Sequence, residues 1–144
     1  MEGVTLCLVK KEFFDFKEVF LDAKKKYRLC TEAAEEKHAE NLVILDVAEV
    51  TDFTQYFIIA SGASDRQVQA IADSIQDKMK EHKILPVGIE GYNEGKWILM
   101  DYDDVIIHVF YGPIRELYDL ERLWHDAKKV RRRKAVKAGT NKAA

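Results

Sequence analysis

Two strand-like segments joined by a very short link constrain the fold of this chain most strongly. Lys96–Tyr102 and Val105–Tyr111 are rich in apolar and β-branched residues, and only Asp103 and Asp104 separate them. So short a link lets the second segment return only beside the first, as an antiparallel hairpin. The sequence therefore predicts a β-hairpin over 96–111.

The first strand of this hairpin has two distinct faces, because side chains alternate along a strand. One face carries Trp97, Leu99 and Asp101, and the other carries Ile98, Met100 and Tyr102. One face must pack against helices, so a Trp on the opposite face is partly exposed. Exposed Trp and Tyr side chains are frequent anchors in protein interfaces. The alternative, that Trp97 only caps the core, stays open at this point.

A second hairpin is predicted upstream. Leu42–Val50 and Phe53–Ser61 are compact apolar segments, and only Thr51 and Asp52 lie between them. A further short apolar run, with Val87 and Ile89, follows Pro86 and predicts a fifth strand.

Helical periodicity marks the rest of the chain. Ser64 and Gln67 form a capping-box pattern, which predicts a helix that begins at the Ser64 N-cap. Its apolar face is Val68, Ile71, Ala72, Ile75 and Met79. Glu12–Cys30 and Thr31–Glu40 are also helical, as one helix or as two with Thr31 as an N-cap. A last helix opens at Gly112-Pro113, with a buried face of Leu117, Leu120, Leu123 and Trp124.

These elements predict a single α/β domain with a mixed sheet of about five strands flanked by helices. The chain has 144 residues and is 47% hydrophobic. That length suits one domain, and that composition excludes a wholly disordered chain.

Charge is distributed unevenly along the chain. From Lys128 onward there are eight Lys and Arg residues and no acid, so residues 1–127 hold the other 15 against all 25 Asp and Glu, a net charge of −10. An acidic body repels nucleic-acid backbones and suits a basic protein partner. The basic tail is a candidate for contact with RNA.

The sequence contains only weak motifs for catalysis or for binding a nucleotide or metal. Ser61–Ser64 leads into a helix N-terminus, and Asp101 and Asp103 alternate at a strand end; together they suggest a Mg²⁺-dependent nucleotidyltransferase as an alternative function. Nearly forty residues separate the two elements, which favours a capped helix and an acidic turn instead. His108 is predicted to be a packed, hydrogen-bonded structural residue. We expect no catalytic residue, no metal site and no cofactor.

Location is inferred from what the sequence lacks. No stretch approaches the ~20 apolar residues that span a bilayer, and no targeting segment is evident. Cys7 and Cys30 are expected to be free thiols. These features predict a reducing cytoplasm and no membrane contact.

Six ordered blocks between Tyr27 and Ala127 resemble the ribosomal silencing factor family, RsfS, also called Iojap-like. The blocks are Leu45–Val47, Ile59–Val68, Ala70–Asp73, Glu90-Gly91, Trp97–Phe110 and Arg115–Trp124. The chain departs from the family pattern in its ends, 1–26 and 128–144, which are extra, and at Asp103, where the family usually has Gly.

The resemblance implies a non-enzymatic protein with nucleotidyltransferase-like topology but no catalytic site. It implies binding to ribosomal protein L-fourteen on the large subunit, at the face where the small subunit docks, which blocks subunit association and represses translation. The implied partner-binding residues are Trp97, Ile98, Leu99, Asp101, Tyr102, Asp103, Asp104 and Tyr118. Residues 1–26 are then a helical extension, 27–127 the α/β domain, and 128–144 a basic, mobile tail. The family pattern assigns no role to either end, and only the charge of the tail makes it a candidate for ribosomal RNA contact. A homodimer is left open.

Overall fold

A central pair of parallel strands organises the protein. The computed structural model describes residues 23–130. In it β2 (Tyr56–Gly62) lies parallel to β5 (Val105–Tyr111), with Tyr56 opposite Val105 and Gly62 opposite Tyr111. All seven residues of β2 are buried, and so are the first six of β5. Burial on both faces explains why the two strands read as nearly continuous apolar runs.

Antiparallel strands extend the sheet on both sides of this pair. β1 (Glu40–Asp46) pairs with β2, and β4 (Trp97–Asp101) pairs with β5, which confirms the antiparallel pairing of both predicted hairpins. The predicted bounds of the upstream hairpin are wrong, because its link is 47–55 rather than Thr51 and Asp52 alone. β3 (Gly88–Glu90) lies along β4, and β6 (Lys128–Lys129) lies along β1, giving the order β3-β4-β5-β2-β1-β6. The mixed sheet is confirmed. Its sixth strand falls where the sequence placed the start of the tail, because two lysines carry no strand signal.

Two long helices cover one face of the sheet, the α1–α2 face. The helix α1 occupies 23–36 of the described residues, and α2 is Asp65–Glu81. Helix α1 is unbroken at Thr31, whose hydroxyl donates to the carbonyl of Arg28 at 2.9 Å. Thr31 therefore lies inside a helix and is not the N-cap that the sequence suggested.

The predicted cap of α2 is present. Oγ of Ser64 accepts the backbone N–H of Gln67 at 3.1 Å, and Oε1 of Gln67 accepts the N–H of Ala63. The Gln67 side-chain amide also donates to the carbonyls of Lys37 and His38 just after α1. The predicted apolar face of α2 is buried in full: Val68, Ile71, Ala72, Ile75 and Met79.

Two short helices lie on the opposite face of the sheet, the Trp97 face. They are α3 (Gly112–Tyr118) and α4 (Leu120–Leu123), and Asp119 separates them with a left-handed φ of 47°. The prediction of one helix with four buried residues is wrong in part, because this break turns Leu117 and Leu123 outward, where they are 73% and 70% exposed. Leu120 and Trp124 pack against the sheet as predicted.

No helix among residues 23–130 is long and apolar enough to cross a membrane. The predicted helical segment before residue 23 and the basic tail after residue 130 lie outside the described residues, as does Cys7.

Candidate functional site

A row of seven aromatic rings crosses the Trp97 face and is called the aromatic row below. It consists of Tyr118, Trp97, Phe110, His108, Phe57, Trp124 and Phe53. Neighbouring centroids are 4.9 Å apart at the Tyr118–Trp97 end and 6.2 Å apart at the Phe53–Trp124 end. The middle of the row is buried, but Tyr118 is 54% and Phe53 is 58% exposed. The row therefore reaches solvent at both ends.

The side chain of Trp97 is partly exposed and is held in place by three neighbours. Its ring stacks on Phe110 at 5.0 Å with an interplanar angle of 27°, and Tyr118 contacts it from α3 at 4.9 Å. Its indole N–H donates to Nδ1 of His108 at 3.1 Å. Trp97 thus packs in the aromatic row and is also partly exposed, which is compatible with either of the two interpretations that the sequence left open.

His108 is a buried neutral residue in the middle of the row. It lies opposite Leu99 of β4, and Phe57 packs edge-on against its ring at 5.2 Å. Desolvation by burial lowers the pKa of His108 from 6.5 to about 4. Because Nδ1 accepts a hydrogen bond, the single proton of the neutral ring is on Nε2. That buried nitrogen has no hydrogen-bond partner among the described residues.

The bond between Trp97 and His108 was missed by the sequence analysis, although the packed, hydrogen-bonded character of His108 was predicted. Trp97 lies directly opposite Phe110, so His108 is its diagonal neighbour on the same face. Diagonal neighbours on one face lie within reach of long side chains. The predicted hairpin register therefore already implied that the indole of Trp97 and the imidazole of His108 lie within reach of each other.

The structure separates the implied partner-binding residues into accessible and buried groups. On the Trp97 face or in the following turn and helix, Trp97, Leu99 and Asp101 are partly exposed and Asp103 and Tyr118 are exposed. The buried group is Ile98, Tyr102 and Asp104, with exposed fractions of 0%, 1% and 6%. We therefore keep only the first group in the candidate binding face.

Burial of the second group has a clear cause. Ile98 and Tyr102 point into the core beneath α1 and α2. Asp104 accepts from Nζ of Lys26 on α1 at 2.7 Å. In the same turn Oδ1 of Asp101 accepts the N–H of Asp103 at 2.8 Å, so Asp103 projects into solvent from a left-handed backbone with φ of 72°.

The two halves of the alternative nucleotide site do not meet. Ser64 follows the carboxyl end of β2, beside Tyr111, whereas Asp101 pairs with Ile106 at the amino end of β5. With ~3.3 Å per strand residue, five residues of β5 place them roughly 16 Å apart. The helix terminus and the carboxylates therefore cannot hold one triphosphate.

A crevice lies at the carboxyl ends of β2 and β5. It has a volume of about 800 Å³, and its lining includes Glu40, Glu116 and Glu121. Arg115 is the only Lys or Arg among these lining residues, and its guanidinium already donates to Glu121 and to Oγ of Ser61. This acidic crevice is unsuited to a phosphate.

Metal and thiol chemistry have little support in the described residues. No cluster of three or more His, Cys, Asp or Glu side chains able to hold a metal occurs within 23–130. Cys30 is a free, fully buried thiol, and burial raises its pKa. A buried thiol of this kind is chemically inert.

The fold and the site define a small α/β protein that displays a partly exposed aromatic face. A family model described as "Ribosomal silencing factor during starvation" matches residues 21–144. The chain belongs to the ribosomal silencing factor family.

Relatives support this assignment. The ribosomal silencing factor RsfS of Bacillus subtilis is 41% identical over 100 residues, which cover 69% of this chain and 85% of the relative. A crystal structure of a Chromobacterium violaceum protein matches with a TM-score of 0.70 and 37% identity, covering 81% of this chain and 94% of that one. A mouse protein named "Mitochondrial assembly of ribosomal large subunit protein 1" is 30% identical over 92 residues, 62% of this chain and 40% of that protein.

Proposed function

We propose that this protein is a non-enzymatic silencing factor that binds the large ribosomal subunit through ribosomal protein L-fourteen. Bound at the face where the small subunit docks, it blocks subunit association and represses translation. The observation that carries the proposal is the accessible Trp97, held in the aromatic row beside Leu99 and Tyr118.

The names of the relatives support a ribosomal role. The Bacillus relative is named a ribosomal silencing factor, and the name of the mouse relative refers to assembly of the large ribosomal subunit. Both names refer to the ribosome, and the mouse name specifies the large subunit.

The geometry of the Trp97 face suits a protein partner. Interface hot spots are enriched in Trp and Tyr, which bury a large area for little loss of conformational entropy. Here Phe110 and His108 support Trp97 from beneath, so little ordering remains to be done on binding. An anchor already fixed in place contributes more affinity than a mobile one.

Charge supports a basic partner. Residues 1–127 carry a net charge of −10. Asp101 ends the strand that begins with Trp97, and Asp103 lies in the turn after it. Ribosomal proteins are generally basic, so complementary fields increase the rate of encounter. The basic residues from Lys128 onward have the opposite sign, and we propose that they contact ribosomal RNA.

The proposed mechanism is steric and requires no reaction. A protein that occupies the docking surface of the large subunit excludes the small subunit by volume alone. Such a mechanism needs no phosphate site. The crevice at the carboxyl ends of β2 and β5 is acidic, and Arg115, the only Lys or Arg that lines it, is already paired with Glu121. The proposal includes a cytoplasmic location, where ribosomal subunits join.

Co-sedimentation with separated ribosomal subunits tests the proposal. The protein should pellet with large subunits and not with small ones, and it should lower the yield of joined ribosomes in a sucrose gradient. Trp97→Ala should strongly reduce both effects. Tyr92→Ala is the matched control, because Tyr92 is an exposed aromatic residue hydrogen-bonded to Asp73 on α2, away from the Trp97 face.

Two outcomes contradict the proposal. Binding to small subunits alone, or no inhibition of joining at saturating protein, would exclude it. The size of the free protein in solution, measured in parallel, shows whether a second copy occupies the Trp97 face before the ribosome does.

A further inference from the structure

We propose that His108 is a positioning residue for Trp97, and that their hydrogen bond makes Trp97 a purely apolar anchor for its partner. The inference rests on the proposed function, because it describes how the same face recognises the large subunit. It identifies the chemical class of the contact: aliphatic or aromatic groups of the partner, with no hydrogen-bond acceptor for the indole.

The indole N–H is the only polar group of the Trp97 side chain. It is a donor with no acceptor capacity, and Nδ1 of His108 accepts it at 3.1 Å. A partner that offered a carbonyl to the same N–H would have to break this bond. The partner therefore gains nothing by presenting an acceptor at Trp97.

The same hydrogen bond fixes the orientation of the indole ring. Phe110 stacks beneath Trp97, and Tyr118 contacts it from the helix side, but ring contacts alone allow the indole to slide or flip. A hydrogen bond to a buried strand residue fixes which edge of the indole faces inward.

His108 is held in place by its own surroundings. Its ring is enclosed by Phe57, Phe110 and Trp97, and it is only 6% exposed. Nε2 carries the proton and has no partner among the described residues, an arrangement that a core selected for stability alone would avoid. An apolar residue here would leave no orphaned donor. The geometry therefore assigns His108 a role through its other nitrogen, Nδ1, which accepts the hydrogen bond from Trp97.

Three variants separate positioning from simple packing. His108→Phe keeps an aromatic ring and removes the acceptor. His108→Asn keeps an acceptor, because Oδ1 of Asn stands at the same number of bonds from Cβ as Nδ1 of His. Trp97→Phe keeps an anchor ring and removes the donor. Thermal melts establish first that each variant is folded at the working temperature.

The first readout needs no ribosome. In nitrogen-15 spectra of the free protein, His108→Phe should shift the Trp97 indole N–H resonance and speed its exchange with solvent, and His108→Asn should restore both at least in part. Trp124 supplies an internal reference resonance. An indole signal unchanged by His108→Phe overturns the hydrogen bond, whatever the ribosome experiment shows.

The second readout is binding to purified large ribosomal subunits. Without the hydrogen bond the indole must be ordered on binding, and immobilising one side chain corresponds to about fivefold weaker binding, which we expect for His108→Phe, mainly as faster dissociation. In the Trp97→Phe background the same His108→Phe change should have no further effect. An equal loss in both backgrounds overturns the positioning role, because His108 would then act independently of Trp97.

The two readouts distinguish failure of this inference from failure of the proposed function. If the unmodified protein does not bind large subunits, the proposed function fails and the apolar-anchor assignment fails with it. If it binds and the double variant is additive, the proposed function stands and only the inference fails.

Discussion

Nζ of Lys26 lies 2.7 Å from Oδ1 of Asp104, and this ion pair joins α1 to the turn between β4 and β5. The side chains of Lys26 and Asp104 are 13% and 6% exposed, and Nζ also donates to the carbonyl of Tyr102 at 3.3 Å. Residues 78 positions apart in the chain are thereby fixed at the edge of the core.

Asp104→Asn should destabilise the fold rather than weaken partner binding. Removing one member of a buried ion pair leaves the other charge uncompensated, which typically costs about 3 kcal/mol or more. The unfolding free energy from urea titration measures this. Asp103→Asn is the matched control, since the neighbouring carboxylate is exposed; it should change stability by less than about 0.5 kcal/mol. Equal effects of the two variants would contradict the structural role of the pair.

Trp97→Ala and Ile98→Ala should have opposite phenotypes although the residues are adjacent. Loss of a Trp anchor should weaken binding to large subunits by about 2 kcal/mol or more, roughly 30-fold, while unfolding remains cooperative. Ile98 is fully buried on the α1–α2 face, so its truncation should lower the unfolding free energy by about 2–5 kcal/mol. Subunit binding and denaturant curves of both variants test this. A Trp97→Ala protein that unfolds as readily as Ile98→Ala would place the interface elsewhere.

Asp103→Gly should stabilise the protein, whereas Asp103→Ala should not. Both changes remove the carboxylate, but only Gly adopts the left-handed φ of 72° without steric strain. We expect Gly to exceed Ala by about 1 kcal/mol in unfolding free energy. Midpoints of thermal unfolding at equal salt give the comparison, and an Ala variant as stable as the Gly variant would show that the turn is unstrained.

Stability should fall as pH is lowered through the range set by His108. The folded-state pKa is about 4 and the ordinary value is 6.5. Above 6.5 both states are neutral; between 6.5 and 4 the unfolded chain binds a proton that the folded chain does not, so acid favours unfolding. The full shift corresponds to about 3 kcal/mol. Urea titrations at pH 7.5 and 4.5 should show a smaller difference for His108→Phe than for the unmodified protein, and identical differences would refute the assignment.

Removal of the basic tail should weaken ribosome binding in a salt-dependent way. The cut belongs after Val130, because the N–H of Val130 donates to the carbonyl of Ile44 at 2.8 Å and its side chain packs on the core. A chain ending there loses six of the eight basic residues that follow Ala127, among them Arg131–Arg133. Its large-subunit affinity should depend less steeply on salt than that of the full chain, since contacts to RNA phosphate release counterions. Loss of all binding even at high salt would make the tail the main interface.

Local signals predicted the elements whose determinants are close in sequence. Ser64 and Gln67 are three residues apart and define the start of α2, and the short link at Asp103 defines the β4–β5 hairpin. The alternation along β4 also placed Trp97 and Ile98 on opposite faces correctly. In each case the residues that determine the structure lie within a few positions of one another in the sequence.

What the sequence missed depends on distant residues or on a single backbone angle. The Lys26–Asp104 pair and the pairing of β6 with β1 form only when the whole sheet is assembled. Exposure of Leu117 and Leu123 follows from the left-handed Asp119, and no Gly or Pro marks that break. Asp is among the few residues that tolerate this conformation, so periodicity alone favoured an uninterrupted helix.

The parallel pairing of β2 with β5 also has a consequence for synthesis of the chain. Each residue of β2 meets a partner roughly 50 residues later, so one edge of this fully buried strand stays unpaired until β5 has been made. At ~5–20 residues per second this interval lasts roughly 2–10 s. An exposed apolar strand edge is a template for mispairing with other chains. Aggregation of nascent chains truncated before residue 105, rather than of the finished protein, is therefore the characteristic hazard of this fold.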